Sequence, residues 1–311
     1  MTNAELIEKS AIQTSSLSDG ILNPSQARKF ITQTFEATNL GKLIRHETVT
    51  SQTGELDKIG IGKRIVRKKT EGTDDGYRAS VQTSKIEYAV TPVRVPWEIT
   101  EEALRQNIEG ESLEAKITYL MTTQIGCDNE DLYLNGDTST ASTDPDYDFL
   151  KINDGWIKQI NAGGHTYDAT SDTHMTLDMF YAALQSLPNK YNDGSLRWLM
   201  SPKRAQEWAL YLMKQVLSNG GALPENIYSQ PAAIPVIQCP SMSDDKILLT
   251  NPKNLIVANS YNVKIRKTDQ GKEAIMQDKR FYVVHYDYDP VIEELDATAI
   301  IKNLPAISAG A

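Results

Sequence analysis

Residues 46–85 have the sequence HETVTSQTGELDKIGIGKRIVRKKTEGTDDGYRASVQTSK, a basic stretch that five glycines interrupt. Glycine at this density indicates turns, and the stretch has few large apolar residues with which to form a core of its own. Residues 60–67 and 77–82 predict two strands, and residues 71–76 suit the tip of a hairpin. Because an isolated hairpin is only marginally stable in water, the sequence predicts a hairpin that rests on another subunit.

A long strand and then a long helix follow the hairpin. The apolar residues of the strand change face along it, from Ile86, Tyr88 and Val90 on one side to Val93, Val95, Trp97 and Ile99 on the other. This change at Thr91-Pro92 predicts a bulge or bend. The longest helical pattern of the chain begins at Glu111 or Ser112 and continues to Asn135. Its apolar stripe consists of Leu113, Ile117, Leu120, Met121, Ile125 and Leu132.

The remaining segments predict an arm, a compact module and a set of strands. About twenty mostly polar residues at the start predict an extended arm, and Asn23-Pro24 begin a helix. Residues 176–187 and 202–217 predict amphipathic helices on either side of a strand at 197–200, which together make an α/β module. Beyond Lys246 the chain predicts strands at 247–249, 261–267, 281–288 and 298–301.

The composition is that of an ordinary soluble globular protein. The chain has 311 residues, of which 40% are hydrophobic and 23% are charged, and its net charge is -9. Since the hairpin is basic, the acidity lies elsewhere, and this separation favours contact between copies of the chain as much as it favours a charged, solvated loop.

Cysteine usage and hydropathy indicate where the protein is found. Cys127 and Cys239 lack the spacing of a zinc or redox motif. No apolar run is long enough to span a bilayer, and residues 1–5 lack the features of a signal peptide. We therefore expect a protein that is made and kept in the cytoplasm, without a membrane partner.

The sequence contains no recognisable catalytic or metal-binding motif. Its histidines lack metal-ligand spacing, and it has no nucleophile elbow, phosphate loop or dinucleotide fingerprint. Asp144, Asp146 and Asp148 imitate the start of a calcium loop, but Phe149 stands where that loop requires glycine. We therefore predict no catalytic, cofactor-binding or metal-binding residue.

Acidic side chains cluster near the C-terminus, at Asp287, Asp289, Glu293, Glu294 and Asp296. Paired carboxylates can act as a general acid and base, but no nucleophile, histidine or cofactor motif accompanies these. We expect them to form a solvated strand edge or to meet basic residues of another subunit.

The order of the elements and two short phrases carry a resemblance to a known family. The long helix ends in Asp131-Leu132-Tyr133-Leu134-Asn135-Gly136-Asp137, and Arg197-Trp198-Leu199-Met200-Ser201-Pro202 leads a strand into a helix. With the arm, the basic hairpin and the terminal strands, this order resembles the major capsid protein of tailed phages, which has the Hong-Kong-97-like fold. The resemblance covers nearly the whole chain and implies an α+β fold.

The resemblance implies a division of the chain and a function. Residues 1–45 would be the N-terminal arm and helix, 46–85 the E-loop hairpin, 86–155 the peripheral domain with its spine helix, 156–240 the axial domain, and 241–311 terminal strands that return through the axial to the peripheral domain. The chain would be a structural protein that forms pentamers and hexamers and encloses double-stranded DNA in an icosahedral shell, without reading the base sequence. The E-loop would contact a neighbouring subunit through Lys63, Arg64, Arg67, Lys68, Lys69 and Arg78.

Departures from the family pattern and two alternatives remain. Too few residues precede Asn23 for a cleaved scaffolding segment, so we expect a separate scaffolding protein beside the portal; trimming of a short arm stays open. Nothing identifies an acceptor for a crosslink from an E-loop lysine. An encapsulin-like nanocompartment would share the fold, and the larger basic E-loop favours the phage protein over it. The alternative from another class is a cytoplasmic hydrolase or carbohydrate-binding protein that uses the C-terminal carboxylates.

Overall fold

The computed structural model describes residues 38–60, 65, 66, 68, 71, 72, 76–78, 82–102, 112–218, 230–260 and 264–307. The α-helices within these ranges are Ser112–Asn135 (α1), Tyr147–Leu150 (α2), Trp156–Gly163 (α3), Leu177–Ser186 (α4), Pro202–Ser218 (α5) and Lys272–Gln277 (α6). The strands are Arg45–Val49 (β1), Thr53–Gly60 (β2), Gln82–Ala89 (β3), Thr91–Thr100 (β4), His165–Asp168 (β5), Arg197–Met200 (β6), Val236–Gln238 (β7), Ile247–Thr250 (β8), Leu255–Ser260 (β9), Lys264–Thr268 (β10), Lys279–Ile292 (β11) and Ala299–Lys302 (β12).

The first of two five-stranded sheets is built around β11. This strand is antiparallel to β4, β9 and β10, and β1 lies parallel to β9. The helix α1 packs on the sheet, where Ile117 and Ile125 belong to an apolar cluster with Trp97, Ile99, Tyr282 and Val284. The sheet and the long helix thus form one packed unit, as expected for an amphipathic helix that covers an apolar sheet face.

The second sheet has the order β5-β12-β8-β6-β7. Residues of α4 and α5 pack against it, because Phe180 of α4 contacts Trp198 of β6 and Trp208 of α5 with ring centroids 4.9 Å apart in both cases. The Ser201 hydroxyl accepts a hydrogen bond from the Arg204 N–H at 3.2 Å and caps α5. These observations confirm the predicted α/β module and the predicted start of its second helix.

The C-terminal end of α1 and the start of α3 cross so closely that the chain needs glycine on both sides. The Gly155 N–H donates to the Gly136 carbonyl at 2.8 Å. A Cβ on Gly155 would lie 2.8 Å from the Leu134 carbonyl oxygen, and one on Gly136 would lie 2.6 Å from the Asn153 carbonyl oxygen. The crossing places Trp156 in the core, where its indole N–H donates to the Val291 carbonyl at 3.1 Å.

The α+β fold class and several elements predicted from the sequence are confirmed. The long helix ends at Asn135 as predicted, and the strand interruption predicted at Thr91-Pro92 occurs one residue earlier, at Val90 between β3 and β4. The hairpin exists, and its described strands are β2 and β3, which share only Gly60 and Gln82 with the predicted ranges 60–67 and 77–82. Within the part of the hairpin that is described, Ile65 and Tyr77 lie outside strands.

The apolar stripes were partly wrong. Leu120 of α1 is 65% exposed, because Ile117, Met121 and Ile125 are the residues that contact the sheet from this part of the helix. Met213 of α5, which the helical pattern of residues 202–217 places on the apolar face, is exposed as well. The helix predicted to begin at Asn23-Pro24 lies outside the described residues.

The geometry of the terminal strands bears on the expected domains without fixing their boundaries. Residues 247–250 and 299–302 pair in the second sheet, whereas the strands between them belong to the first. The chain therefore passes from one sheet to the other and back, and its last strand lies in the second sheet. The division into arm, E-loop, peripheral and axial domains stays a prediction.

Candidate functional site

The stem of the hairpin is well ordered by pairing and by burial at its base. Strands β2 and β3 pair antiparallel from Thr53 opposite Ala89 to Gly60 opposite Gln82. Cross-strand neighbours Leu56 and Ile86 pack against a small cluster, which consists of Val49, Tyr88, Val90, Ile256, Ala258 and Val291. This contact explains why the paired strands lie further from the tip than predicted, since burial against β9 and β11 fixes the register.

Carboxylates at the end of β11 attach the hairpin and its flanking strand to the first sheet. The Ala89 N–H donates to Asp289 Oδ2 at 2.8 Å, at the joint between β3 and β4. Arg45 of β1 donates to Glu293 Oε2 at 2.7 Å, and Lys58 of β2 forms an ion pair with Glu294. The base of the hairpin is therefore held by backbone pairing, apolar contact and charge together.

These contacts change the interpretation of the C-terminal acidic cluster. Glu293 and Glu294 meet basic residues, as expected, but these residues belong to the same chain. Asp289 accepts a hydrogen bond from the backbone N–H of Ala89, between β3 and β4. The carboxylates thus have structural partners, which is a poor starting point for an acid–base pair in a hydrolase.

Asp289 should make the stability of the subunit depend on pH. Burial raises the pKa of this carboxyl from 3.8 to about 6 in the folded chain, although the Ala89 N–H opposes the rise. The folded state therefore loses stability as pH increases from about 4 to 6, where the unfolded chain has already released this proton. One pKa unit corresponds to about 1.4 kcal/mol, and the group is partly exposed, so we expect roughly 1–2 kcal/mol.

The check is urea unfolding of Asp289→Asn at pH 4 and pH 7. The amide keeps an acceptor for the Ala89 N–H and cannot ionise. The unfolding free energy of the variant should therefore rise relative to that of the wild type between pH 4 and pH 7. Asp287→Asn, on the same strand, is the matched control and should follow the wild type. Parallel pH profiles for Asp289→Asn and the wild type would show that the Asp289 carboxyl is not perturbed.

The hairpin exposes apolar and basic side chains beyond its stem. Val66 is 87% exposed, which is unusual for valine, and Ile65 is also exposed. Of the predicted contact residues, Lys68 and Arg78 are exposed, and the Arg78 guanidinium donates to the Tyr77 carbonyl at 2.9 Å. Lys63, Arg64, Arg67 and Lys69 lie outside the described residues. Their role in a contact between subunits stays a prediction.

Exposed apolar side chains also occur on the helices of the first sheet. Tyr119 accompanies the exposed Leu120 on α1, and Ile275 and Met276 of α6 are 72% and 78% exposed. Side chains of this kind favour contact with other protein surfaces when they occur together. The helical period predicted Leu120 to be buried, so this exposed surface could not be predicted from the sequence.

The other candidate residues have ordinary surroundings. Burial lowers the pKa of His46, whose Nε2–H donates to the Gly41 carbonyl at 3.0 Å. Asp144 accepts from the Asp146 N–H within the same loop. Across the described ranges, no group of at least three His, Cys, Asp or Glu side chains is arranged to hold a metal ion. None of the helices described is both long and apolar enough to cross a membrane.

Comparison with known sequences finds one informative relative. No protein-family model matches the chain. The chain is 28% identical over 322 residues to "Putative prophage capsid protein YqbE" of Bacillus subtilis (strain 168), a match that covers 98% of this chain and 99% of the relative. The similarity thus extends through the hairpin, both sheets and the terminal strands.

Solved structures with low sequence identity share the fold of this chain. One matching chain comes from the procapsid of a satellite phage, which includes a size-determination protein. The alignment covers 97% of this chain and 95% of the procapsid chain, with a TM-score of 0.62 and 14% sequence identity. Another comes from the holo-SrpI encapsulin complex of Synechococcus elongatus PCC 7942. The alignment covers 100% of this chain and 98% of the encapsulin chain, with a TM-score of 0.54 and 10% sequence identity. A chain of a phage procapsid and a chain of an encapsulin complex therefore share the arrangement of helices and strands described above.

Proposed function

We propose that this chain, which has the Hong-Kong-97-like fold of tailed-phage capsid proteins, is a major capsid protein and builds an icosahedral phage shell. The observation that carries the proposal is that Ile65 and Val66, which follow the paired stem of the hairpin, are exposed in a chain similar to a prophage capsid protein from end to end. Exposed apolar side chains of this kind are stabilised by burial on another subunit. The role is structural rather than enzymatic.

The proposal includes the assembly and its partners. Copies of the chain form pentamers and hexamers, and these close into a shell that encloses double-stranded DNA. A separate scaffolding protein and a portal take part in assembly, which occurs in the cytoplasm of the host bacterium before the protein becomes part of the virion. The DNA is accommodated without base-specific contacts, because a shell must hold whatever sequence is packaged.

An encapsulin-like nanocompartment is the second candidate, and the structural match to an encapsulin supports it. The relative of nearly equal length favours the phage shell, since its name is that of a prophage capsid protein. The two candidates differ in what they require and enclose. A phage shell depends on a scaffold and takes up DNA, whereas a nanocompartment closes around cargo enzymes.

The experiment is to produce the chain with and without a candidate scaffolding partner, sediment it, and image the heavy fraction by electron microscopy. Shells with fivefold and sixfold capsomers are expected, and their yield should rise with the scaffold. Shells filled with a copurifying enzyme would favour the nanocompartment instead. A stable small oligomer under both conditions would contradict the assignment as a shell protein.

Charge reversal at the hairpin should weaken assembly. Lys68→Glu together with Lys69→Glu is expected to reduce shell yield while the subunit stays folded, because each reversal removes an attraction of about 0.2–1 kcal/mol and adds a repulsion at every repeated contact. Added salt should partly restore assembly of the variant, since it screens the repulsion. Sedimentation at low and high salt provides the measurement.

The matched control reverses two exposed lysines away from the hairpin, Lys190→Glu and Lys253→Glu. Its net charge equals that of the hairpin variant, so it separates a local contact from a general effect of charge. Equal loss of shells in both double variants, or normal shells from the hairpin variant at low salt, would show that the basic residues of the hairpin do not form the contact.

A further inference from the structure

A carboxylate is buried where α1 meets two connecting segments. Glu130 is 3% exposed, and neither of its carboxylate oxygens has a hydrogen-bond partner among the described residues. Burying an ionised carboxylate without partners is costly, so such a group is rare in a stable core. The helical pattern does not reveal this burial, because an acidic residue in a long amphipathic helix normally faces solvent.

The two segments around Glu130 are 38–46, which leads into β1, and the turn at 239–242. The Thr38 hydroxyl, the Leu40 N–H and the N–H and hydroxyl of Ser241 surround the carboxylate and favour its anion, but none of them meets the geometry of a hydrogen bond to it. The turn has an independent attachment to α1, since Asn135 Nδ2 donates to the Ser241 carbonyl at 2.7 Å. The segment 38–46 supplies two of these donors, Thr38 and Leu40, and its apolar residues Leu40 and Ile44 hold it on the core beside the carboxylate.

A small cavity lies at the same place. Its volume is about 10 Å³, and Glu130, Thr38, His46 and Tyr133 are among the residues that line it. A polar cavity of this size holds about one water molecule at most. The carboxylate thus borders a space into which solvent could enter as soon as the segment 38–46 moves away from the helix.

We propose that Glu130 is a proton-operated lock between α1 and the segment 38–46. With its proton bound, the neutral carboxyl tolerates the closed cavity and the segment packs on the helix. When the proton leaves to solvent, the anion draws water into the cavity and the segment loosens. This segment joins residues 1–37 to β1 and the hairpin, so the lock regulates how those parts meet other subunits; that consequence rests on the function proposed above.

The ionisable groups around Glu130 support the direction of the switch. Burial raises the pKa of Glu130 above its ordinary value of 4.5. Burial also lowers the pKa of His46 and raises those of Cys127, Tyr133 and Cys239, so the titratable groups that face Glu130 from β1, α1 and the turn are uncharged near neutral pH. A raised pKa in the folded state means that the lock stabilises the subunit below the pKa of the unfolded chain and loses that contribution as pH rises through the folded value.

The test compares Glu130→Gln with the wild type in urea unfolding of the subunit from pH 4 to pH 8. The amide cannot ionise, so the wild type should lose stability relative to the variant as pH rises. Glu273→Gln removes an exposed carboxylate and should follow the wild type. Parallel pH profiles of Glu130→Gln and the wild type would overturn the lock.

Hydrogen exchange of the wild type tests the lock without a variant. Protection factors of the amides at 40–46 should fall as pH rises, while those of β8 in the second sheet stay constant. A uniform response of both regions would overturn the lock even if Glu130→Gln failed to fold. The subunit measurements are independent of assembly, so a failure to form shells would reject the proposed function and leave the lock standing.

Discussion

A chain in which Asn-Gly replaces residues 61–81 will fold as a subunit and form no shells. Because Gly60 and Gln82 are opposite each other in the hairpin, a two-residue Asn-Gly turn closes β2 and β3 in their native register. The stem keeps the packing of Leu56 and Ile86 and the ion pair of Lys58 with Glu294. Closing the shorter loop costs less entropy, so the unfolding free energy should stay the same or rise by up to about 2 kcal/mol. The contact with the neighbouring subunit, in contrast, is lost at every position of the shell.

Urea unfolding and sedimentation measure the two parts of this result separately. A second variant, with a Gly/Ser segment of equal length in place of residues 61–81, distinguishes the chemistry of the tip from its reach. It should also fail to assemble, because it offers no apolar or basic side chains to a neighbour. Normal shells from the shortened hairpin would show that residues 61–81 do not hold subunits together.

Arg204→Met will destabilise the second sheet and its helices by about 3–5 kcal/mol, because it removes one partner of a buried charge pair. The Arg204 side chain is 1% exposed and donates to the Asp244 carbonyl at 2.5 Å, to Glu207 Oε2 at 2.5 Å and to the Pro305 carbonyl. Its loss leaves a mostly buried carboxylate and two carbonyls without their donor. The segment around Pro305 should detach from α5.

Thermal and urea unfolding followed by tryptophan fluorescence provide the measurement, since Trp198 and Trp208 are buried in this part of the core. Lys203→Met is the control: its ammonium is exposed and pairs with Asp244 on the surface, so its loss should cost less than about 1 kcal/mol. Arg204→Lys should be intermediate, because an ammonium cannot reach all the acceptors that a guanidinium bridges. An unfolding free energy of Arg204→Met within about 1 kcal/mol of the wild type would show that the buried guanidinium does not stabilise this part of the fold.

The elements that the sequence predicts correctly are those with local causes. The end of α1 at Asn135 and the start of α5 after Ser201 follow from an apolar period and a cap within a few residues. The strands of the hairpin were predicted too close to its tip, because their register depends on the packing of Leu56 and Ile86 against strands about two hundred positions further along the chain. Local strand propensity contains no record of such contacts.

Partners of charged residues were the part that the sequence could not supply. The acidic cluster was expected to form a strand edge or to meet another subunit, and the structure pairs Glu293 and Glu294 with Arg45 and Lys58 of the same chain. Glu130 and Arg204 give no local signal either, since both occur in helices where charged residues usually face solvent. Burial of such groups depends on which segments cover the helix, and spacing along one element does not encode that.

In the proposed closed shell, the hairpin of one subunit lies on a neighbouring subunit. The most direct test is electron cryomicroscopy of the particles formed by the full chain, at a resolution that allows each subunit to be traced. We predict capsomers of five and six copies, with the tip of each hairpin beyond Gly60 in contact with an adjacent subunit. Particles in which every hairpin packs only on its own subunit, or a small closed ring without capsomers of both kinds, would contradict the account.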